Sequence, residues 1–154
     1  MSRAKGLVDT YFDELKLGAT ESTRGRTVTE ADIVNWCALT GDWFVLHSDK
    51  VYAEKSTFGQ RLAPGLMLLA FSGGLGVPPA AEAIIANYGT DRVRYPRPTF
   101  IGDTLHLDIE VEELRERDAD TGVATFRWDM VNQDGHTVMV SLLKVLSKRR
   151  PDGD

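Results

Sequence analysis

From Thr90 onward the hydrophobic residues of this chain tend to recur at every second position, and this constrains the fold more than any other feature. Leu105, Leu107, Ile109 and Val111 alternate with His106, Asp108, Glu110 and Glu112, the pattern of a half-buried strand. Asp118 to Gly122 reads as a turn. Ala124, Phe126, Trp128 and Met130 then form the buried face of the next strand. Asn132-Gln133-Asp134-Gly135 is a hairpin signal through its Asp-Gly pair, and Val138 to Leu146 is the last strand. Ahead of these, Arg92 to Tyr95 is a strand that Pro96 and Pro98 interrupt, which gives it an irregular end. Lys148 to Asp154 is a charged tail expected to fray.

The first half of the chain has a different texture. Residues 1–10 show no period and read as a leader, with Tyr11, Phe12, Leu15 and Leu17 packing as a short turn. Ala19 to Val28 reads as a first strand. Thr29 is a good helix N-cap, followed by Glu30 and Asp32, whose charge suits the positive end of the helix dipole. Ile33, Val34, Trp36, Cys37 and Leu39 carry the apolar face, and Gly41 stops the helix. Asp42 to Asp49 is expected to be loop, and Lys50 to Lys55 a short helical turn. Ala63-Pro64-Gly65 opens a helix that is apolar nearly all round from Leu66 to Leu75, which predicts burial. Pro78-Pro79 ends it, and Ala80 to Asn87 is expected to form one more short helix. One buried helix followed by a run of antiparallel strands predicts an α+β fold, a curved sheet wrapped around a central helix. The 154 residues fit one domain, 1–154, with a core over about 15–147.

Several function classes are disfavoured at this stage. The net charge is −5, which argues against a nucleic-acid partner. The N-terminus lacks the apolar core of a signal peptide, and the longest apolar run, Leu62 to Val77, is broken by glycines and too short to span a bilayer. The single cysteine, Cys37, cannot form a disulfide within the chain, which suits a reducing cytosol. Its place on an apolar helical face reads as core.

Chemistry concentrates between Gly41 and Gly76. Asp42 and His47 stand five positions apart in one expected loop. The His47 imidazole lies among Trp43, Phe44, Val45 and Leu46 and is expected to be partly buried there. Taken alone, the pair also fits an Asx turn and a satisfied loop histidine. The other histidines, His106 and His136, read as solvated. The histidines and the cysteine are too scattered for a zinc site, so no metal is expected. Gly73-Gly74-x-Gly76 ends a helix instead of opening one, so it is no phosphate loop.

Gly41-Asp42, Leu46-His47-x-Asp49, Phe58-Gly59 and Ala63-x-Gly65-x-x-Leu68, taken in order, resemble the MaoC-like dehydratases, the (R)-specific enoyl-CoA hydratase family. Phe71-Ser72-Gly73-Gly74-Leu75-Gly76 is similar to that family's F-S-G-L-L-G, and Arg94-Tyr95-Pro96-Arg97-Pro98-x-Phe100-x-Gly102-Asp103 to the stretch that follows it. The resemblance implies a hot-dog fold, a long helix wrapped by an antiparallel sheet and paired as a homodimer or higher homo-oligomer. It places the catalytic acid and base on Asp42 and His47. It places the backbone donor to the thioester carbonyl on Gly65 and a helix serine on Ser72. Ser72 either orients a group in the site or bonds its own helix backbone. Two positions depart from the pattern. Phe44-Val45 replaces Asn-Pro, making the loop bulkier. Pro64 replaces the histidine before the glycine, removing an N–H and an imidazole from the substrate wall.

The expected reaction is hydration of a trans-2-enoyl-CoA thioester to a 3-hydroxyacyl-CoA, or the reverse dehydration, with no cofactor. The substrate is a CoA or acyl-carrier-protein thioester. Arg92, Arg94 and Arg97 form the densest basic cluster outside the tail, and Arg94 is the candidate for a phosphate contact. Two other readings stand beside this one: a hot-dog acyl-CoA thioesterase, and a non-catalytic acyl-CoA-binding subunit of a larger complex.

Overall fold

The structure is a computed structural model that describes residues 6–151. Among the described residues, two short 3-10 turns precede a sheet of six strands, and four α-helices lie between its second and third strands. They are α1 (Glu30–Thr40), α2 (Val45–Ser48), α3 (Lys50–Glu54) and α4 (Gly65–Gly76). The strands are β1 (Thr20–Ser22), β2 (Arg26–Thr27), β3 (Ile84–Arg94), β4 (Thr104–Glu116), β5 (Thr121–Val131) and β6 (Thr137–Lys148). The sheet runs β1-β4-β5-β6-β3, with β2 also paired to β4, and every pairing is antiparallel. This is the α+β hot-dog arrangement: the sheet curves around α4.

The period-two segments form the long strands, and the inward phase is the expected one. Leu105, Leu107, Ile109 and Val111 of β4 are buried, as are Ala124, Phe126, Trp128 and Met130 of β5. They meet Met67 and Leu68 of α4 in a single core. Gly76 lets the end of α4 approach the sheet. A Cβ there would lie 2.8 Å from Cζ2 of Trp128 and 3.2 Å from Cδ1 of Leu107. Gly135 supplies the left-handed residue of the β5–β6 hairpin, at φ 75°.

Four expectations are corrected. Ala80 to Asn87 holds no helix, because β3 begins at Ile84 and pairs with β6 from Ser147 onward. The β-branched Ile84-Ile85 pair suits a pleated strand, and a partner strand was not visible locally. α4 is not buried all round: Leu66 is 64% exposed and Ala70 is also exposed, while Met67, Leu68 and Ser72 face inward. The first expected strand is two short ones, β1 and β2, separated by the stretch that contains Gly25. The leader is built into the fold from Gly6 onward. Val8 is fully buried, and the carboxylate of Asp9 accepts the N–H groups of Glu82 at 2.9 Å and Ala83 at 2.8 Å. Residues 1–5 lie outside the described residues.

The tail is likewise tied down at its start. The Arg149 N–H donates to the Asp120 carbonyl at 2.8 Å, and the Arg150 N–H donates to Asp13 at 2.8 Å. The end of the tail, residues 152–154, lies outside the described residues. Among the described residues, no helix is long and apolar enough to cross a membrane.

Candidate active site

α1 delivers the chain to the site with a defined exit. Thr29 caps its start in a capping box with Asp32, and Gly41 ends it in the left-handed region at φ 78°. The next residue is Asp42. Its backbone N–H is held by the Thr40 hydroxyl at 3.2 Å, which leaves the carboxylate half exposed at the surface. The expected loop then contains one helical turn, α2, and His47 lies on it.

His47 is fixed from two directions. Its Nδ1 lies 2.9 Å from the carbonyl oxygen of Leu62, and the Leu62 N–H returns to the Leu46 carbonyl at 2.9 Å. A carbonyl only accepts, so Nδ1 carries the proton of a neutral ring and Nε2 is left with its lone pair. The ring of Phe44 stands edge-on to the imidazole at 5.6 Å. Nε2 points to the Asp42 carboxylate, with Oδ2 4.0 Å away, too far for a direct hydrogen bond. Phe44 thus places an aromatic wall against the imidazole.

Leu62 and Ala63 are stitched to the chain after β3. Leu62 pairs with Phe100, and the Ala63 N–H donates to the Thr99 carbonyl at 2.8 Å. This orients Pro64, which is buried and acts as the residue before α4, not as its first helical residue. The carbonyl of Pro64 accepts from Met67 at 3.1 Å and Leu68 at 3.3 Å. No side chain caps the helix, so the positive end of its dipole at Gly65 is not neutralised locally.

His47, Gly65 and Leu68 open onto one cleft of about 350 Å³, whose lining also includes Phe58, Tyr95 and Arg97. Gly65 is required by that lining. A Cβ on it would lie 2.9 Å from Cε2 of Tyr95. Burial pushes the Tyr95 phenol up, so it stays a neutral hydroxyl at physiological pH. With the ring neutral, the cleft offers an acceptor imidazole nitrogen and a backbone donor at a helix N-terminus, while the Asp42 carboxylate lies 4.0 Å from that nitrogen and is not on the cleft lining. Such a set can take a proton, return it, and stabilise an oxyanion.

The remaining candidates are distributed differently. Ser72 is buried two turns further along α4, and its hydroxyl donates to the Leu69 carbonyl at 2.6 Å. The guanidinium of Arg94 donates to the Val93 carbonyl at 2.8 Å and does not line the cleft, whereas Arg97 does. Cys37 is buried, and burial together with the Asp42 charge raises its thiol, so it is held as a protonated thiol in the core. Among the described residues, no group of three His, Cys, Asp or Glu side chains is placed to hold a metal ion. Sequence reading gave no site role to Tyr95 or Phe58. Tyr95 follows Arg94 at an irregular strand end, where alternation does not report which way a side chain points.

The family profile described as MaoC like domain matches residues 16–130. The chain is 42% identical to Protein MaoC of Klebsiella aerogenes over 99 residues, which is 64% of this chain and 30% of that protein. It is 30% identical to 3-hydroxybutyryl-CoA dehydratase of Methylorubrum extorquens over 146 residues, covering 92% of this chain and 88% of that enzyme. A solved structure titled as a monoamine oxidase regulatory protein from Archaeoglobus superposes with a TM-score of 0.86 at 35% identity, covering 92% of this chain and 96% of that one. The profile match spans most of the sequence and includes Asp42, His47 and Gly65, so this chain belongs to the MaoC-like dehydratase family.

Proposed function

We propose that this chain is an (R)-specific hydratase of trans-2-enoyl-CoA thioesters, or the dehydratase of the corresponding 3-hydroxyacyl-CoA, acting without a cofactor. One observation carries the reading: His47 and Gly65 line the same cleft, α4 starts there with no side-chain cap, and the Asp42 carboxylate is 4.0 Å from His47 Nε2. The named activity of the 3-hydroxybutyryl-CoA dehydratase relative supports the same class of reaction.

In hydration, a water donates its two hydrogens to Asp42 and to His47 Nε2. Its oxygen adds to Cβ as one proton passes to this pair. The thioester carbonyl takes up the electron pair as an enolate, which the N–H of Gly65 stabilises. One such donor contributes about 3–4 kcal/mol at the transition state. The pair then returns its proton to Cα, so the sum is enoyl thioester plus water giving 3-hydroxyacyl thioester. Dehydration runs these steps in reverse.

Arg97, on the cleft wall, is the cation placed to meet a phosphate of the CoA or carrier-protein arm. β3 is a long edge strand with Ile85 and Tyr88 exposed, and Trp43, Phe44 and Leu66 add exposed apolar surface. Together they favour a homodimer that covers this surface. The lone buried thiol is in keeping with work in the cytosol.

The test follows the enoyl-thioester absorbance band of crotonyl-CoA with wild type and Asp42→Ala. Loss of the band without release of free thiol, abolished in the variant, is the expected result. Thiol release would replace this reading with a thioesterase.

A further inference from the structure

His47 and Asp42 are not bonded to each other: Nε2 and Oδ2 stand 4.0 Å apart, beyond a hydrogen bond. No direct bond keeps the two side chains in register, so each depends on the segment that carries it. Asp42 moves with α1. Its N–H is bonded to the Thr40 hydroxyl at 3.2 Å, and that hydroxyl donates to the Trp36 carbonyl at 2.7 Å inside the helix. The His47 ring moves with residues 61–63, through the Leu62 carbonyl that accepts its Nδ1–H at 2.9 Å. The geometry of the pair is therefore set by where α1 stands relative to the Leu62 segment.

The segment has two backbone anchors elsewhere. The Leu62 N–H donates to the Leu46 carbonyl at 2.9 Å, and the Ala63 N–H donates to the Thr99 carbonyl at 2.8 Å. Neither reaches α1. The link to α1 is Arg61, whose guanidinium donates to Glu30 Oε1 at 2.7 Å across 31 positions of sequence. Glu30 is the first residue of α1. Among the described residues, this is the one hydrogen bond or ion pair that joins residues 61–63 to α1. The Arg61 side chain is 15% exposed, against 62% for Glu30. A guanidinium so far withdrawn from water is committed to its partner, whereas two free surface side chains exchange each other for solvent at little cost. Arg61 is not on the cleft lining, so it acts on the site through its neighbour Leu62.

We infer that Arg61 is a positioning residue of the acid–base pair. Its ion pair with Glu30 locks the Leu62 segment to α1, and so holds the His47 imidazole opposite Asp42 with its proton on Nδ1. The inference rests on the acid–base reading of the cleft and goes beyond it in naming what keeps the pair in register.

The test reads the His47 ring directly, by nitrogen NMR shifts of the whole protein without substrate, which report the tautomer of the neutral imidazole. Wild type should carry the proton on Nδ1. Arg61→Met should populate both tautomers. It should also lower kcat for crotonyl-CoA about tenfold with KM within twofold, since a misplacement of about 1 Å costs up to about 10²-fold in rate. Arg61→Lys keeps a cation and should recover most of both effects. Glu30→Ala should reproduce Arg61→Met, and it carries the test if Arg61→Met does not fold. Arg26→Gln is the control for a merely structural loss. Arg26 pairs with Asp32 on the same turn of α1 at 2.6 Å and lies over the Phe71 ring at 3.6 Å, so its partners are on α1 and α4. That variant should keep the wild-type tautomer and kcat. The inference is overturned if the tautomer or kcat is unmoved in folded Arg61→Met and Glu30→Ala, or if Arg26→Gln moves them as far. The tautomer needs no turnover to be read. A tautomer shift in Arg61→Met with no turnover in wild type removes the hydratase reading alone, and turnover with an unmoved tautomer removes this inference alone.

Discussion

The Nδ1 of His47 donates its proton to the carbonyl of Leu62 across 2.9 Å, and this contact decides which ring nitrogen is left over. It leaves Nε2 as the acceptor, 4.0 Å from Asp42. His47→Gln and Asp42→Asn should each lower kcat for enoyl-CoA hydration by about 10²–10⁴-fold, the usual worth of a positioned acid–base group. The double variant should fall little further than the worse single one, because groups that act on one water fail together. Activity within tenfold of wild type in either single variant, measured by the absorbance assay on folded protein, would remove that residue from the acid–base pair.

Gly65 and Tyr95 form the second constraint on the cleft. A Cβ at position 65 would meet three carbons of the Tyr95 ring between 2.9 and 3.2 Å, so the ring or the helix start must move. Gly65→Ala should therefore lose roughly 10²-fold in kcat, in the range of a misplaced oxyanion donor. Tyr95→Ala opens the space. If the clash is the cause, Gly65→Ala combined with Tyr95→Ala should be more active than Gly65→Ala alone. Strictly additive losses in this double-mutant cycle would mean that the two residues act independently.

How much of this was readable in advance divides by the physics of each signal. Alternation placed Phe126, Trp128 and Met130 on the buried face correctly, because a strand with one face in the core must alternate. The motifs singled out His47 and Gly65, which line one cleft, and Asp42, which is not on its lining. Asp9 was illegible: it bonds backbone groups 73 to 75 positions away, and such a contact leaves no local period. The strand at Ile84 was read as helix because its partner, β6, lies far along the chain. The outward stripe of α4 was read as buried because Leu66 and Ala70 are apolar, and apolarity by itself does not say which side of a helix faces the core.

Asp9 yields a stability prediction. Its carboxylate is 3% exposed, and Oδ1 accepts the N–H groups of Ala83 at 2.8 Å and Glu82 at 2.9 Å, at the point where β3 begins. Asp9→Ala leaves these donors without their acceptor and should cost about 2–4 kcal/mol in urea unfolding. Asp9→Asn keeps an acceptor oxygen and should cost distinctly less. Equal losses for the two variants would show that the charge, not the geometry of acceptance, holds the N-terminal turn against the sheet.

Asp32 gives a pH dependence whose sign follows from its partners. Burial by itself would raise this carboxyl. The Thr29 N–H at 2.8 Å, the Thr29 hydroxyl at 2.8 Å and the Arg26 guanidinium at 2.6 Å outweigh burial and hold it below the usual carboxylate range. A folded pKa below the unfolded one adds stability that is fully present above the unfolded pKa and is lost as the pH falls through the folded one. Asp32→Asn mimics the protonated acid, so at neutral pH it should unfold about 1 kcal/mol more easily than wild type, a typical value for a lost capping contact. Acidification should close that gap, and the two urea midpoints should converge below the folded pKa. A gap that stays constant from neutral pH down to about pH 3 would mean that the ionised carboxylate contributes nothing to the start of α1, and that hydrogen-bond geometry alone fixes the helix that delivers Asp42 to the cleft.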